Sequence, residues 1–250
     1  MSLFTAETAL SDVLVSLAES LRPGYDVVDT LDLLVQASTT YTSAAEAGIL
    51  LLDAEGRLRV AASSTERTAD VEESQLGAQG GPCSDAIATG QGIDVPVITA
   101  AAKKWPEFVS TARARGFLAA HAIPMRLRSQ TLGGLNLFSA RTGALSDRDQ
   151  ALAETFAQLA TISIVQHQTI SEHGIVSAQL QRALDSRVII EQAKVVLAQQ
   201  HGVPIDDAFA LLRNYARRTS SGLKHVATQV VSHGLDIGSD RPAAYEPTGR

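Results

Sequence analysis

The single cysteine of this chain, Cys83, lies in the stretch whose residue types best suit thiol or anion chemistry. Glycines are frequent over residues 77–92, and Pro82 directly precedes the cysteine. Because proline favours the first turn of a helix and Gly90 suits a C-cap, we predict a short helix over about 82–89. A helix N-terminus attracts anions and lowers the pKa of a thiol placed there. Cys83 is therefore either a redox sensor or part of a loop for an acidic ligand, or, as is more usual for a lone buried cysteine, a small packing residue.

The other residue types that do chemistry form no recognisable catalytic set. The six histidines are scattered, and His121 falls in a predicted strand, where it either packs in the core or lines a pocket. One cysteine excludes an intramolecular disulfide framework and a cysteine-based zinc cluster, since both need several thiols. The phosphate-binding glycine loops, the Gly-x-Ser-x-Gly elbow and the His-Glu-x-x-His pair do not occur in the sequence. We therefore expect no catalytic residues, no metal site and no enzyme activity.

Charge is distributed unevenly along the 250 residues. The net charge of −6 would by itself argue against a nucleic-acid partner. Residues 1–177 carry −8, however, whereas residues 178–235 carry +3. Arg213 and Arg217 share one face of a predicted helix, and the preceding helix adds further basic residues. The C-terminal region thus presents either a basic patch for an anionic partner or an ordinary solvated charged face.

The N-terminal elements that must position Cys83 and His121 read as an α+β domain. Apolar residues at three- and four-residue steps predict two helices, and alternating runs predict two hairpins, the first with Gly56 where positive φ is wanted. The segment between the hairpins reads as irregular apart from the short helix after the glycines. This order favours an antiparallel sheet flanked by helices. The predicted helices cover about 6–21 and 26–41, and the predicted strands cover 47–53, 57–63, 119–127 and 131–139.

A long helix follows the second hairpin. Ser146 and Asp149 have the spacing of a capping box at its start. An apolar stripe that includes Phe156 then continues, and the rhythm resumes at Leu180. Over 146–165 the stripe either docks on the sheet or pairs with a second copy of the chain, and beyond residue 170 we expect dimerisation.

Three helices with short connections make up the C-terminal region. Helical composition over 187–202 ends in glycine, Pro204 opens a helix over 205–218, and a last helix covers 223–231. Residues 236–250 have two prolines, two glycines and no apolar periodicity, which predicts a disordered tail.

The C-terminal helices resemble the ANTAR family of RNA-binding antiterminator modules. The resemblance covers about 55 residues from Arg187 to Val231, with Val195 where the family usually has glycine and Gly222 where a longer polar residue is usual. It implies an RNA-binding surface and a small apolar core. The matching residues are Arg187, Glu191-Gln-Ala-Lys194, Asp207-Ala-Phe209, Leu212-Arg213, Ala216-Arg217, Leu223 and Val226-Ala227. The implied RNA contacts are Arg187, Lys194, Arg213, Arg217, Arg218 and Lys224. The implied core is Ala193, Ala208, Phe209, Leu212, Ala216, Val226 and Ala227.

Residues 1–170 resemble a GAF sensory domain of the kind found in actinobacterial GAF–ANTAR proteins. The resemblance is carried by Gly81-Pro-Cys83, Trp105-Pro-Glu-Phe108 and Leu132-Gly-Gly-Leu-Asn-Leu-Phe138. It implies a domain order of 1–170 GAF-like, 171–235 ANTAR and 236–250 tail, with a GAF pocket for a small molecule of unknown identity. A GAF-type methionine sulfoxide reductase is the enzyme alternative, but that family relies on several cysteines. The candidate pocket residues are Cys83, Trp105, Phe108, Phe117, His121, Met125 and Asn136.

The combined resemblance implies a regulator of transcription. A signal received by the GAF-like domain would alter how the ANTAR module holds a pair of RNA stem-loops in a nascent transcript, which prevents a terminator hairpin. Two stem-loops suit two copies of the module, so we expect a homodimer through the helices around 150–190. The alternative is a GAF-regulated protein-docking module without direct RNA binding. Apolar runs too short to span a membrane and the lack of a basic, then apolar, N-terminus predict a cytoplasmic chain.

Overall fold

A computed structural model describes residues 27–53, 55–77, 80–166 and 175–237, together with Val15 and Leu17. The chain divides into two compact units, Met1–Arg187 and Val188–Arg250, and each is described by itself below. Two predictions lie largely outside the described residues: the helix over 6–21, of which only Val15 and Leu17 are described, and the tail beyond residue 237.

The first unit contains a five-stranded antiparallel sheet with the strand order β2-β1-β5-β4-β3. Both predicted hairpins are confirmed, and Gly56 has a φ of 75° in the turn between β1 and β2. The third strand was not predicted, because three residues are too few to show alternation. The strands are β1 (Glu46–Leu52), β2 (Leu58–Ser63), β3 (Ile93–Val95), β4 (Ala119–Leu127) and β5 (Gln130–Ser139).

Five α-helices with described bounds lie between Val27 and Gln166, and the segment between the hairpins is more regular than predicted. The short helix over 82–89 is confirmed, but two further helices precede and follow it. Both are nine residues long, too short for apolar periodicity to reveal them. One is capped by Thr65, whose hydroxyl accepts a hydrogen bond from the Thr68 amide, and the other begins at Pro106. The helices are α1 (Val27–Tyr41), α2 (Glu66–Ser74), α3 (Pro82–Thr89), α4 (Pro106–Ala114) and α5 (Asp147–Gln166), with a 3-10 turn at Ile98–Ala101.

The helices cover the two faces of the sheet in different groups. Helices α1 and α5 pack on each other and on one face, while α2, α3 and α4 pack against the other. Side chains alternate between the faces along a strand, and register partners share a face. Gly48, Asn136 and Ala122 are partners across three strands on the α2–α4 face. His121 and Leu137 are partners on the α1 and α5 face.

Helix α5 begins with the predicted cap. The Ser146 hydroxyl accepts a hydrogen bond from the Asp149 amide at 3.1 Å, and the Asp149 carboxylate accepts one from the Ser43 amide at 3.1 Å. Phe156 and Ser163 of the apolar stripe are completely buried as α5 packs on β4 and α1. Of the two interpretations of this stripe, docking within the domain is therefore the one observed for 147–166. Residues 167–174 lie outside the described part, and so does the predicted continuity with the next helix.

The C-terminal helices are α6 (Ile175–His201), α7 (Ile205–Arg218) and α8 (Leu223–His233), in agreement with the three predicted helices. Gly202 and Gly234 end α6 and α8 with φ near +60°, a conformation that glycine adopts without strain. The unit that begins at Val188 is held together by packing between the apolar sides of these helices. All seven residues implied as its core, Ala193, Ala208, Phe209, Leu212, Ala216, Val226 and Ala227, are buried. Val195, by contrast, is 48% exposed, so no close helix approach depends on it.

Candidate sensor cluster and nucleic-acid interface

A buried carboxyl group on α2 is the centre of a polar cluster inside the first unit. Glu72 is completely buried, and both of its carboxyl oxygens lie 2.8 Å from the side-chain nitrogen of Asn136 on β5. Gln75 donates from its side-chain nitrogen to the same carboxyl group at 3.0 Å. Buried polar groups are costly unless they are hydrogen-bonded, and both amide partners are themselves almost fully buried. The cluster is thus a built polar site in an otherwise apolar core.

Two glycines make room for this cluster. Gly48 faces Asn136 across the β1–β5 ladder, and a Cβ at Gly48 would lie 2.4 Å from a Glu72 carboxyl oxygen. A Cβ at Gly81 would lie 2.4 Å from the side-chain oxygen of Gln75. Larger residues at either position would displace a buried polar side chain from its partners. The two glycines therefore serve close approach rather than turn formation.

Burial raises the pKa of the Glu72 carboxyl to about 8, against the lowering effects of the Asn136 hydrogen bond, the positive charge of Arg187 and the Gln75 hydrogen bond. Desolvation penalises the ionised form, and two neutral amides compensate only part of that penalty. The carboxyl group is consequently mostly protonated at pH 7. A protonated carboxyl inside a sensory domain is a group whose charge can change under mild conditions.

Cys83 belongs to the same cluster. Its amide donates to the Gln75 side-chain oxygen at 2.9 Å, and its sulfur is so close to β5 that a Cβ at Gly134 would lie 2.7 Å from it. The thiol is completely buried. Burial and the nearby Glu72 carboxyl raise the pKa of the Cys83 thiol well above its usual range, although it starts the first turn of α3. These observations favour the packing interpretation of Cys83 over the reactive one.

We expect Cys83 to react with a water-soluble disulfide reagent at least about 100-fold more slowly in the folded chain than in denaturant, because reaction requires both opening of α3 and thiol ionisation. Absorbance of the released thiolate reports the rate, and the chain has no second cysteine to interfere. Equal rates with and without denaturant would instead mark Cys83 as an accessible, reactive thiol.

The structure separates the seven candidate pocket residues. Trp105, Phe108 and Phe117 form an apolar cluster on the α2–α4 side of the sheet, the side that Cys83 and Asn136 also face. Trp105, Phe108 and Phe117 pack with one another and with Phe138. The ring centroids of Phe117 and Phe138 are 5.1 Å apart.

The remaining two candidates, His121 and Met125, lie on the opposite side of the sheet. His121 and Met125 are buried on the α1 and α5 face, where the His121 Nδ1 lies 2.9 Å from an Asp94 carboxylate oxygen. The sheet therefore separates His121 and Met125 from the other five candidates, because alternation along β4 and β5 puts them on the face opposite to Asn136. The tight turn between β4 and β5 was visible in the sequence, and its register would have predicted this separation.

Glu72, Gln75 and Gly48 were not among the candidates. The sequence around Glu72 carried no periodicity that assigned it to a helix, so nothing showed that its side chain points at the sheet. An acidic residue is normally exposed, and only a tertiary contact reveals the exception.

The basic residues of the C-terminal region occupy three different environments. Arg217 and Arg218 are exposed at the end of α7, and Arg213 and Lys224 are half-buried on either side of them in the chain. Arg187 is half-buried within the first unit. Four of the six implied RNA contacts therefore cluster in sequence around the α7–α8 turn.

Lys194 differs from the other basic residues because it is only 2% exposed. Its Nζ lies 2.7 Å from a Glu191 carboxylate oxygen and 4.9 Å from the centroid of the Phe209 ring. The guanidinium carbon of Arg213 lies 4.1 Å from the centroid of the same ring. This placement corrects the expectation of a surface contact at Lys194. Its helix position predicted an exposed cation, but the side chain is enclosed between a carboxylate and an aromatic ring.

The described ranges contain neither a metal-ligand cluster nor a helix of membrane-spanning character. No group of three or more histidine, cysteine, aspartate or glutamate side chains there has an arrangement that could hold a metal ion. No helix in this part of the chain is both long and apolar enough to cross a membrane.

The chain is similar to several solved structures. Among solved structures, the chain is similar to the GAF domain of an Acinetobacter phosphoenolpyruvate-protein phosphotransferase, with 12% identity, 73% of this chain and 96% of that chain covered, and a TM-score of 0.47. It is also similar to the free methionine-R-sulfoxide reductase of Neisseria meningitidis (14% identity, 72% and 91% covered, TM-score 0.45) and to the type II enzyme of Thermoplasma acidophilum (16%, 55% and 92%, TM-score 0.43). No curated protein matches the chain significantly.

Two family profiles match the sequence in succession. The GAF domain profile matches residues 25–165, more than half of the chain, and the ANTAR domain profile matches residues 178–231. GAF domains are sensory domains and ANTAR domains are RNA-binding antiterminator modules, so both are regulatory domains. The chain therefore belongs to the GAF domain family and carries an ANTAR domain behind it, the GAF–ANTAR arrangement.

Proposed function

We propose that this protein is a signal-responsive transcription antiterminator that binds paired stem-loops in nascent RNA and thereby prevents a terminator hairpin from forming. The observation that carries the proposal is the ANTAR domain at residues 178–231, with basic side chains presented around the α7–α8 turn. Binding of the transcript in the antiterminated form allows RNA polymerase to continue.

The positions of the basic residues suit an RNA partner. Arg217 and Arg218 end α7, where the negative end of the helix dipole stabilises cations, and Arg218 lies over the Tyr215 ring at 5.3 Å. Specific RNA recognition favours unstacked loop bases, which stack on aromatic side chains and guanidinium planes. Arginine also forms paired hydrogen bonds with the phosphates of the RNA backbone. A locally basic surface on a chain of net charge −6 also limits non-specific attachment to RNA.

The GAF domain is the proposed receiver of the signal. Its Glu72, Gln75, Asn136 and Cys83 cluster lies between the sheet and α2 and α3, where a small molecule or a proton could change the packing of α2. We further propose that two copies associate through the helices around 150–190, so that two ANTAR domains hold two stem-loops and the signal changes their geometry. Sedimentation of the full chain tests the dimer, and mass spectrometry of the native protein tests for a bound small molecule.

Crosslinking of RNA to the protein in cells, followed by sequencing, tests the proposed function directly. Enrichment of transcripts with two adjacent stem-loops ahead of a terminator is the expected result. Recovery of no stem-loops would favour the alternative, a GAF-regulated module that docks on proteins.

The double variant Arg217→Ala and Arg218→Ala is expected to weaken RNA binding at least about 10-fold, because two phosphate contacts are lost. For the same reason, the slope of the logarithm of the binding constant against the logarithm of the salt concentration should become shallower by roughly one to two. Titration of a labelled two-stem-loop RNA at several salt concentrations measures both effects, and circular dichroism checks helicity.

A matched control removes the same charge from the other domain. Lys103 and Arg113 are exposed on the GAF domain, and the variant Lys103→Ala and Arg113→Ala should bind RNA as the unchanged chain does. An equal loss of affinity in both double variants would mean that only net charge matters and would remove the assignment to α7.

A further inference from the structure

Two cations share one aromatic ring in the ANTAR domain. Phe209 lies on α7 and is nearly buried, with Arg213 one helical turn later on the same face. The Arg213 guanidinium carbon and the Lys194 Nζ lie 4.1 Å and 4.9 Å from the ring centroid, both within the range of a cation–π contact. The two cationic centres are consequently separated by no more than about one Debye length, roughly 8–10 Å at physiological ionic strength.

The burial of Lys194 is the feature that ordinary packing does not explain. A charged amine out of water is costly unless its charge is compensated, and an apolar residue would fill the same space without that cost. Compensation comes from Glu191, one turn earlier on α6, and from the face of Phe209. The Glu191 side chain is 39% exposed, so water screens the electrostatic effect of its carboxylate, whereas the Lys194 side chain is enclosed. The cluster thus places a second cation close to the Arg213 side chain.

The shape and charge of the arginine determine what such an arrangement can do. A guanidinium held over a ring loses less conformational entropy when it binds a partner, and its N–H groups form paired hydrogen bonds with phosphate oxygens or with base edges. A second positive charge nearby makes the local potential more attractive to an anion.

We propose that Phe209 and Lys194 are positioning residues that hold Arg213 ready to contact RNA, so that Lys194 acts through this cluster rather than by touching phosphate itself. The inference rests on the proposed RNA-binding function and specifies how one contact of that surface is formed. Arg213 is the RNA-contacting member, Phe209 provides the platform, and Lys194 with Glu191 sets the charge beside the ring.

A double-mutant cycle on the full chain tests the coupling. The probe is a pool of RNAs with two stem-loops and randomised loops, enriched by selection against the unchanged chain. Phe209→Leu keeps an apolar side chain but removes the ring, and we expect it to lower RNA affinity about 3- to 10-fold. In an Arg213→Ala background the same change should have little further effect, because the guanidinium that the ring positions is gone.

Conservative variants and a core control separate positioning from folding. Phe209→Tyr keeps the ring and should retain most of the affinity, and Lys194→Met should weaken binding even though it keeps the buried volume. Leu212→Val weakens the same helix core without removing the ring and should leave RNA affinity unchanged at temperatures where the variant is folded. If Phe209→Leu fails to fold, the Lys194→Met and Arg213→Ala pair completes the cycle instead.

The outcomes distinguish the two levels of the proposal. Affinity losses for Phe209→Leu and Arg213→Ala that simply multiply, or full affinity in Lys194→Met, overturn the positioning role while RNA binding stands. If selection against the unchanged chain enriches no RNA, the proposed function fails, and the positioning role fails with it.

Discussion

The Glu72→Gln variant is expected to keep nearly the same free energy of unfolding from pH 5 to pH 8, whereas the unchanged GAF domain should lose about 3 kcal/mol over that interval. The reason is the pKa of Glu72, which burial raises to about 8 in the folded state, while the unfolded chain has the ordinary value near 4.5.

The direction follows from proton binding. Between the two pKa values the folded carboxyl keeps its proton and the unfolded one releases it, so folding takes up a proton. The stabilising contribution is complete below the unfolded pKa and disappears as pH rises through the folded pKa. Glutamine mimics the protonated acid at every pH, and it can keep hydrogen bonds to Asn136 and Gln75.

Denaturant titrations at several pH values measure this effect, and the single tryptophan, Trp105, reports unfolding of the GAF core in which it is buried. Glu73→Gln is the matched control because Glu73 is the exposed neighbour on the same helix, and it should leave the pH dependence intact. The same slope in Glu72→Gln and in the unchanged chain would show that Glu72 ionises normally in the fold.

Adjacent glycines on β5 should respond differently to the same added methyl group. A Cβ at Gly133 would lie 2.1 Å from the backbone oxygen of Leu50 and 2.8 Å from the Leu51 side chain. The oxygen belongs to the β1 strand that pairs with β5, so it cannot move without opening the ladder. We expect Gly133→Ala to cost roughly 3 kcal/mol or more and to prevent normal folding at elevated temperature.

Gly134→Ala should be milder and reversible by a second change. A Cβ there would lie 2.7 Å from the Cys83 sulfur, which is a side-chain atom on a separate helix. The expected cost is about 1–3 kcal/mol, and Cys83→Ala in the same chain should recover much of it because the sulfur is removed. Cys83→Ala should not rescue Gly133→Ala. Denaturant titration of the four variants and the parent measures these energies; equal rescue of both glycine variants would contradict the packing described for β5.

Much of the architecture was predictable because local patterns produce it. Alternation over 119–127 and 131–139 predicts the β4–β5 hairpin, and Pro82 with Gly90 eight residues later predicts α3 almost to its ends. Pro204 and the charges at either end of 205–218 predict α7 in the same way. Helices α2 and α4 were missed because nine residues are two and a half turns, too few for a stripe to stand out.

The site was less predictable than the fold. Cys83 and Asn136 were candidates, and they lie together; His121 and Met125 were candidates, and the sheet separates them from that cluster. Glu72 and Gln75 were missed although they complete the cluster. By residue type alone, histidine is buried more often than glutamate. Here the tertiary contacts make Glu72, and not His121, the centre of the buried polar cluster.

Local sequence patterns predict the two-part organisation, the antiparallel sheet and the C-terminal helices, and the residues between Arg187 and Val231 carry the ANTAR resemblance. These follow from periodicity, caps and spacing, which act over one or two turns of chain. Which charged groups are enclosed, such as Glu72 on α2 and Lys194 beside Phe209, depends instead on tertiary packing. Burial depends on residues distant in the chain, such as Asn136 for Glu72, and the free energy of an ionisable group depends on that surrounding more than on its own type.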